Sequence, residues 1–150
     1  MIAESLRAAW RCVVVEGDSM APTVRAGDLL LINAQAPRTR GLQRGSIVAW
    51  SPMAGRAPLL KRVVGLPGET VVCRGGAVWV EGAPLREPYA IRRTAGGAVH
   101  RWSLAPAEYL LLGDRRDDSL DSRRLGPARQ SDVVGVLRYR VWPLVRRAVA

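Results

Sequence analysis

The chain has 150 residues, 48% of them hydrophobic, and a net charge of +10, which is enough for one domain, residues 1–150, with a sizeable core. No run of about 18 apolar residues occurs, so no segment of the sequence can span a membrane as a helix. With two cysteines and one histidine, a metal site is not expected. The positive charge points to an anionic partner. Because the arginines are scattered, with no nucleic-acid-binding pattern among them, a membrane surface is expected and nucleic acid is not.

Taken in order, Ile2, Leu6, Ala9 and Trp10 fall on one face of a short helix. Val13-Val14-Val15 reads as a buried strand, broken by the turn residues Glu16 to Thr23. Leu29 to Ile32, Ser46 to Trp50 and the stretch around Lys61 read as further strands. Thr70 to Cys73 and Ala77 to Val80 form a hairpin across Gly75-Gly76. Residues 82–106 hold several prolines and glycines and are expected to be an irregular extension lying over the core. Tyr109 to Leu112 is an apolar strand that ends at Gly113-Asp114, and Val133 to Trp142 is a half-buried strand. The fold class is all-β, or β-dominated. Cys12 and Cys73 lie in apolar strand-like runs and are expected to be buried free thiols.

Lys61 is the sole lysine; the other basic residues are arginines. Guanidinium does not deprotonate in proteins, whereas an ammonium in apolar surroundings can. Leu59-Leu60 and Val63-Val64 supply such surroundings. Ser19 sits in a turn at a strand end, where its oxygen can be exposed and backbone N–H groups can bind an oxyanion. Lys61 is a better base for it than His100, which no local pattern fixes in place. In the Gly113–Gly126 loop, alternating Asp and Arg can form a fixed ion-pair lattice, and its serines can orient a neutral amine.

Gly17-Asp18-Ser19-Met20-Ala21-Pro22-Thr23, then Lys61-Arg62-Val63-Val64-Gly65-Leu66-Pro67-Gly68-Glu69, then the Gly113–Gly126 loop resemble the three signature boxes of type I signal peptidases, in that family's order. The similarity extends to Arg44 to Val48, Val78 to Gly82 and Glu87-Pro88-Tyr89. It implies a β-rich fold shared with the self-cleaving SOS-type repressors, and a Ser-Lys dyad that needs no cofactor. Ser19 corresponds to the nucleophile, Lys61 to the base and Ser119 to a residue that hydrogen-bonds the lysine. Asp121 and Arg123 correspond to a structural ion pair. Val15, Met20, Val24, Leu59 and Leu60 correspond to the lining of a shallow pocket for small residues, the Ala-x-Ala type of cleavage site. Gly17 stands where some members carry a second oxyanion donor, and Arg115 and Asp118 replace the usual Asn.

The activity so implied is that of a serine endopeptidase acting on signal peptides or similar leaders of precursor proteins. The family is normally tethered by N-terminal membrane helices, so membrane association is expected from the resemblance, although the residues before Ser19 cannot span. The other readings are a soluble cytoplasmic peptidase that matures one proprotein, a self-cleaving repressor-type module and a non-catalytic membrane-surface protein.

Overall fold

The computed structural model describes residues 9–39, 41–92 and 97–143. Among them two antiparallel sheets account for most of the regular structure. The larger runs β1-β2-β11-β3-β4-β9-β10 and is built from Trp10–Val14 (β1), Leu29–Asn33 (β2), Ile47–Trp50 (β3), Leu59–Gly65 (β4), Glu108–Leu112 (β9), Ala128–Arg129 (β10) and Val133–Trp142 (β11). The smaller runs β7-β6-β5-β8, from Thr70–Arg74 (β5), Ala77–Val80 (β6), Ala83–Pro84 (β7) and His100–Ser103 (β8).

β3 reads as an unbroken apolar run because both faces of the large sheet are covered there. One face carries Val48, Trp50, Val63, Leu111 and Val136. The other carries Ile47, Ala49 and Leu137 and is covered by Val15, Met20 and Val24. A third cluster joins the sheets, with Val64, Leu110 and Leu112 packed on Val71, Cys73, Val78 and Leu104. Gly65 lies at this junction. A Cβ there would come within 2.8 Å of both Leu104 Cδ1 and Val71 Cγ2, so only glycine lets β4 pass beneath the smaller sheet.

The elements differ from expectation in four places. Trp10 opens β1 rather than closing a helix, and its ring meets that of Tyr139 at 6.4 Å between centroids; residues 2–8 of the expected helix lie outside the described residues. The Val13–Val15 run is buried only in part: Val15, just past the end of β1, is in the core and Val13 is half-buried, but Val14 is not. β1 is an edge strand with Val14 65% exposed, and β-branched residues suit an edge as well as a core. Cys12 is exposed on that edge, whereas Cys73 is buried, and both are free thiols.

Finally, residues 82–106 are not an irregular extension throughout. β7 and β8 complete the smaller sheet, and Ile91 bridges Arg115. β8 alternates half-buried His100 and Trp102 with exposed Arg101 and Ser103, a pattern too short and too polar to stand out among its prolines and glycines.

Candidate active site

β1 delivers the chain to a tight turn in which Asp18 O accepts from Ala21 N at 2.9 Å and Met20 O accepts from Val24 N at 2.9 Å. Met20 and Val24 anchor the turn in the core, and Ser19, the residue before Met20, is half-buried at the surface. Lys61 comes from the centre of β4 and is 2% exposed. Its Nζ lies 2.7 Å from Ser19 Oγ and donates to Leu60 O at 2.7 Å.

Lys61 forms no ion pair among the described residues. Burial lowers its pKa from 10.5 to about 8, with the Asp121 and Asp114 carboxylates pulling the other way at longer range and Arg123 adding to the lowering. The amine is therefore neutral in a substantial fraction of molecules near pH 8 and is in contact with a hydroxyl. That is the geometry for taking a proton from serine.

The Gly113–Gly126 loop frames the pair. Asp121 is wholly buried; Arg123 donates to it through Nε at 2.9 Å and Nη2 at 2.8 Å, and Gly113 N donates at 3.0 Å. Burial alone would raise the Asp121 pKa, but the Arg123 hydrogen bonds and charge overcome it and hold the carboxyl below its ordinary value. Above that range the pair contributes stability, which is lost as pH falls through the depressed pKa.

Ser119 is not hydrogen-bonded to Lys61. Its Oγ is buried with no well-formed partner, and it faces Asp121 closely enough to help keep that carboxylate ionised. It packs into the space where Gly113 lacks a side chain. A Cβ on Gly113 would meet Ser119 Oγ at 2.2 Å and the Ser19 carbonyl at 2.8 Å.

Of the expected pocket residues, Val15, Met20, Val24 and Leu60 meet in one cluster, and the first three are buried in its interior rather than lining an open surface. Leu59 is not with them. Alternation along β4 sends it to the opposite face, against the Trp50 cluster. β9 pairs with β4 only from Arg62 onward, so among the described residues no strand pairs with Leu59-Leu60 on that side.

Reading the sequence missed the buried ionic framework around the dyad. Arg62 grips wholly buried Asp114 through Nε at 2.8 Å and Nη2 at 2.7 Å. Thr23 Oγ1 donates to the same carboxylate at 2.6 Å, tying the Ser19 turn to the Lys61 strand. The Arg62 guanidinium also lies 4.0 Å from the centre of the Tyr89 ring. The signal was an Arg on the strand that carries Lys61 and an Asp two residues past the end of β9, the latter disguised by the charged loop it opens. Among the described residues no group of His, Cys, Asp or Glu is placed to hold a metal ion.

A β-sheet scaffold that brings a serine to a buried lysine belongs to a recognisable class of serine peptidases, and sequence comparison narrows it. The profile of the family described as signal peptidase, peptidase S26 matches residues 2–142, and the chain belongs to that family. It is a serine endopeptidase. Signal peptidase I V of Bacillus subtilis is 35% identical over 136 residues, covering 82% of this chain and 80% of that protein. Signal peptidase IB of Staphylococcus aureus is 30% identical over 146 residues, covering 86% and 76% respectively. The crystal structure of a signal peptidase I from Enterococcus faecalis superposes with a TM-score of 0.55 at 31% identity, covering 65% of this chain and 97% of that one. Among the described residues no helix is long and apolar enough to cross a membrane.

Proposed function

We propose that this chain cleaves signal peptides or similar leaders from precursor proteins after small residues of the Ala-x-Ala type, with Ser19 as nucleophile and Lys61 as general base. The observation that carries the proposal is the 2.7 Å contact between Lys61 Nζ and Ser19 Oγ, made by an amine whose burial brings its pKa to about 8. The precursor lies extended beside the unpaired edge at Leu59-Leu60 and the edge strand β1. Ser19 Oγ attacks the scissile carbonyl as its proton passes to Lys61 Nζ, and the Ser19 N–H supplies an oxyanion donor. The protonated amine gives that proton to the leaving nitrogen, leaving an acyl-enzyme. Lys61 then activates water to hydrolyse the ester. Ser119, whose hydroxyl makes no well-formed hydrogen bond before reaction, is available to the amine once Ser19 is acylated. Leu60, half-buried over the Val15, Met20 and Val24 cluster, offers the apolar surface that favours small side chains, and the Asp121–Arg123 pair holds the loop beneath.

The enzyme works against an anionic membrane surface. Supporting this, Trp10, Val14, Tyr139 and Trp142 share the β1-β2-β11 end of the sheet, where Val14, Tyr139 and Trp142 are more than half exposed on a chain of net charge +10. The test of the activity is incubation of a precursor carrying an Ala-x-Ala site with wild type and with Ser19→Ala, the products being read by mass spectrometry. A single cut after the second alanine, lost in the variant, is expected. Equal cleavage by Ser19→Ala would remove Ser19 as the nucleophile.

A further inference from the structure

Glu87 lies in the connection between β7 and β8, well away from the reacting atoms in sequence, yet its side chain is wholly buried. A buried carboxylate is costly unless it is fully partnered, and Glu87 is. Arg116 grips it with both terminal nitrogens, Nη1 to Oε2 at 2.9 Å and Nη2 to Oε1. Arg92 Nη2 donates to Oε2 at 2.8 Å, and the Tyr89 hydroxyl to Oε1 at 3.2 Å.

Two routes lead from this carboxylate to the dyad. In the first, Arg116 Nε donates to Gly113 O at 2.9 Å, and Gly113 is the residue against which Ser119 and the Ser19 carbonyl pack. In the second, Tyr89 lies under the guanidinium of Arg62, the residue after Lys61.

The backbone makes the same connection. Ile91 N donates to Asp114 O at 2.8 Å and Arg116 N donates to Ile91 O at 3.0 Å, which fixes both neighbours of Arg115. Arg115 N then donates to Ser19 O at 3.0 Å. The nucleophile's own carbonyl is thus held by a chain segment whose outer side is pinned to Ile91, four residues from Glu87.

We propose that Glu87 is a positioning residue for catalysis, and that through Arg116 and the Ile91–Arg115 bridge the connection between β7 and β8 sets the position of Ser19 against Lys61. This rests on the proposed Ser19–Lys61 chemistry. Glu87 touches no reacting atom, so its charge is not expected to tune the amine. It fixes where the serine stands. A small misplacement of reacting groups costs rate rather than ground-state binding.

The test uses Glu87→Gln, which keeps shape and loses charge, with Arg92→Gln as a control that removes only the outer, partly exposed partner. Cleavage of an Ala-x-Ala precursor by Glu87→Gln should show kcat reduced about tenfold or more with KM changed less than about threefold. The pH midpoint of kcat/KM should stay near that of the wild type, and Arg92→Gln should behave as wild type. Independently of activity, hydrogen exchange of the Arg115 amide should accelerate about tenfold in Glu87→Gln, with β2 and β3 amides unchanged. That arm decides the matter even if the wild type cuts no precursor, an outcome that would sink the proposed activity and not this coupling. If Glu87→Gln does not fold, Arg116→Lys, which keeps charge but not the two-pronged grip, is read the same way. Unchanged kcat with unchanged Arg115 exchange overturns the proposal, as does a moved pH midpoint with an undiminished plateau.

Discussion

Lys61 and Arg62 are neighbours on one strand, both at least 97% buried, and they occupy opposite electrostatic worlds. Arg62 is surrounded by acceptors: two oxygens of Asp114, the Gly45 carbonyl at 2.7 Å and the Thr23 hydroxyl at 3.3 Å. Its charge is fully answered, and it serves as a fixed joint. Lys61 has a hydroxyl, one backbone carbonyl and no carboxylate in ion-pair contact. Its charge is poorly answered, and its proton is easily lost. The two faces of one strand thus separate a permanent cation from a removable one. What differs is the partner set, since the burial is alike.

The comparison is broken most sharply by making Lys61 like Arg62. Lys61→Arg puts a permanent cation beside Ser19, and cleavage should fall by about 10³-fold or more, the scale of a lost general base. Circular dichroism should show the fold retained. An Arg variant with more than a small fraction of wild-type rate would mean that Lys61 acts through charge and not through its lone pair.

Next in size is removal of the partner that makes Arg62 a joint. Asp114→Ala leaves a buried guanidinium unanswered and should cost about 3–5 kcal/mol of folding stability. In a chain of this size that lowers Tm by roughly 10 °C or more, readable by calorimetry. A loss below about 1 kcal/mol would show that Arg62 is satisfied without it.

A third experiment weighs the charge on Lys61 directly. The folded protein releases this proton near pH 8, whereas the unfolded chain holds it to about 10.5. Over that window the unfolded state binds more protons, so stability rises with pH. The rise is up to about 3 kcal/mol, given about 1.4 kcal/mol per pKa unit. Lys61→Met lacks it. Urea titrations of both proteins across the window, taken as a difference, cancel the tyrosines and the buried Cys73 thiol. Parallel curves would place the lysine's pKa at its ordinary value.

The smallest effect belongs to Ser119. Its hydroxyl makes no well-formed hydrogen bond, so Ser119→Ala should change Tm little while slowing turnover by about tenfold, a barrier increase of about 1.4 kcal/mol. A variant of full activity and lowered Tm would make the serine a packing residue only.

Much of the reacting pair was legible because it breaks local rules. A lone lysine in an arginine-rich chain, on an apolar strand, and a serine in a turn at a strand end are departures that composition makes visible. The strands around them were legible from apolar runs bounded by glycine and proline. What stayed hidden was long-range. Nothing local to Glu87 tells that it meets Arg116, twenty-nine residues on in sequence, or that Arg62 meets Asp114, fifty-two residues on. Charged residues in loops look solvated until the fold closes over them. Leu59 and Leu60 look alike in sequence, and only the register against Trp50 and Ala49 assigns them to different faces. Val14 looked buried like Val15 because an apolar run does not say whether its strand lies at the centre or the edge.

That edge has a practical consequence for watching the enzyme at work. Of the two thiols, Cys73 is sealed inside and Cys12 stands exposed in the middle of β1, opposite Leu31. A maleimide dye would therefore label the protein at one known point, on the outer rim where an arriving precursor is to lie. On the Ser19→Ala background, such a reporter would follow docking without turnover. Recognition of a leader and its scission could then be timed as separate events.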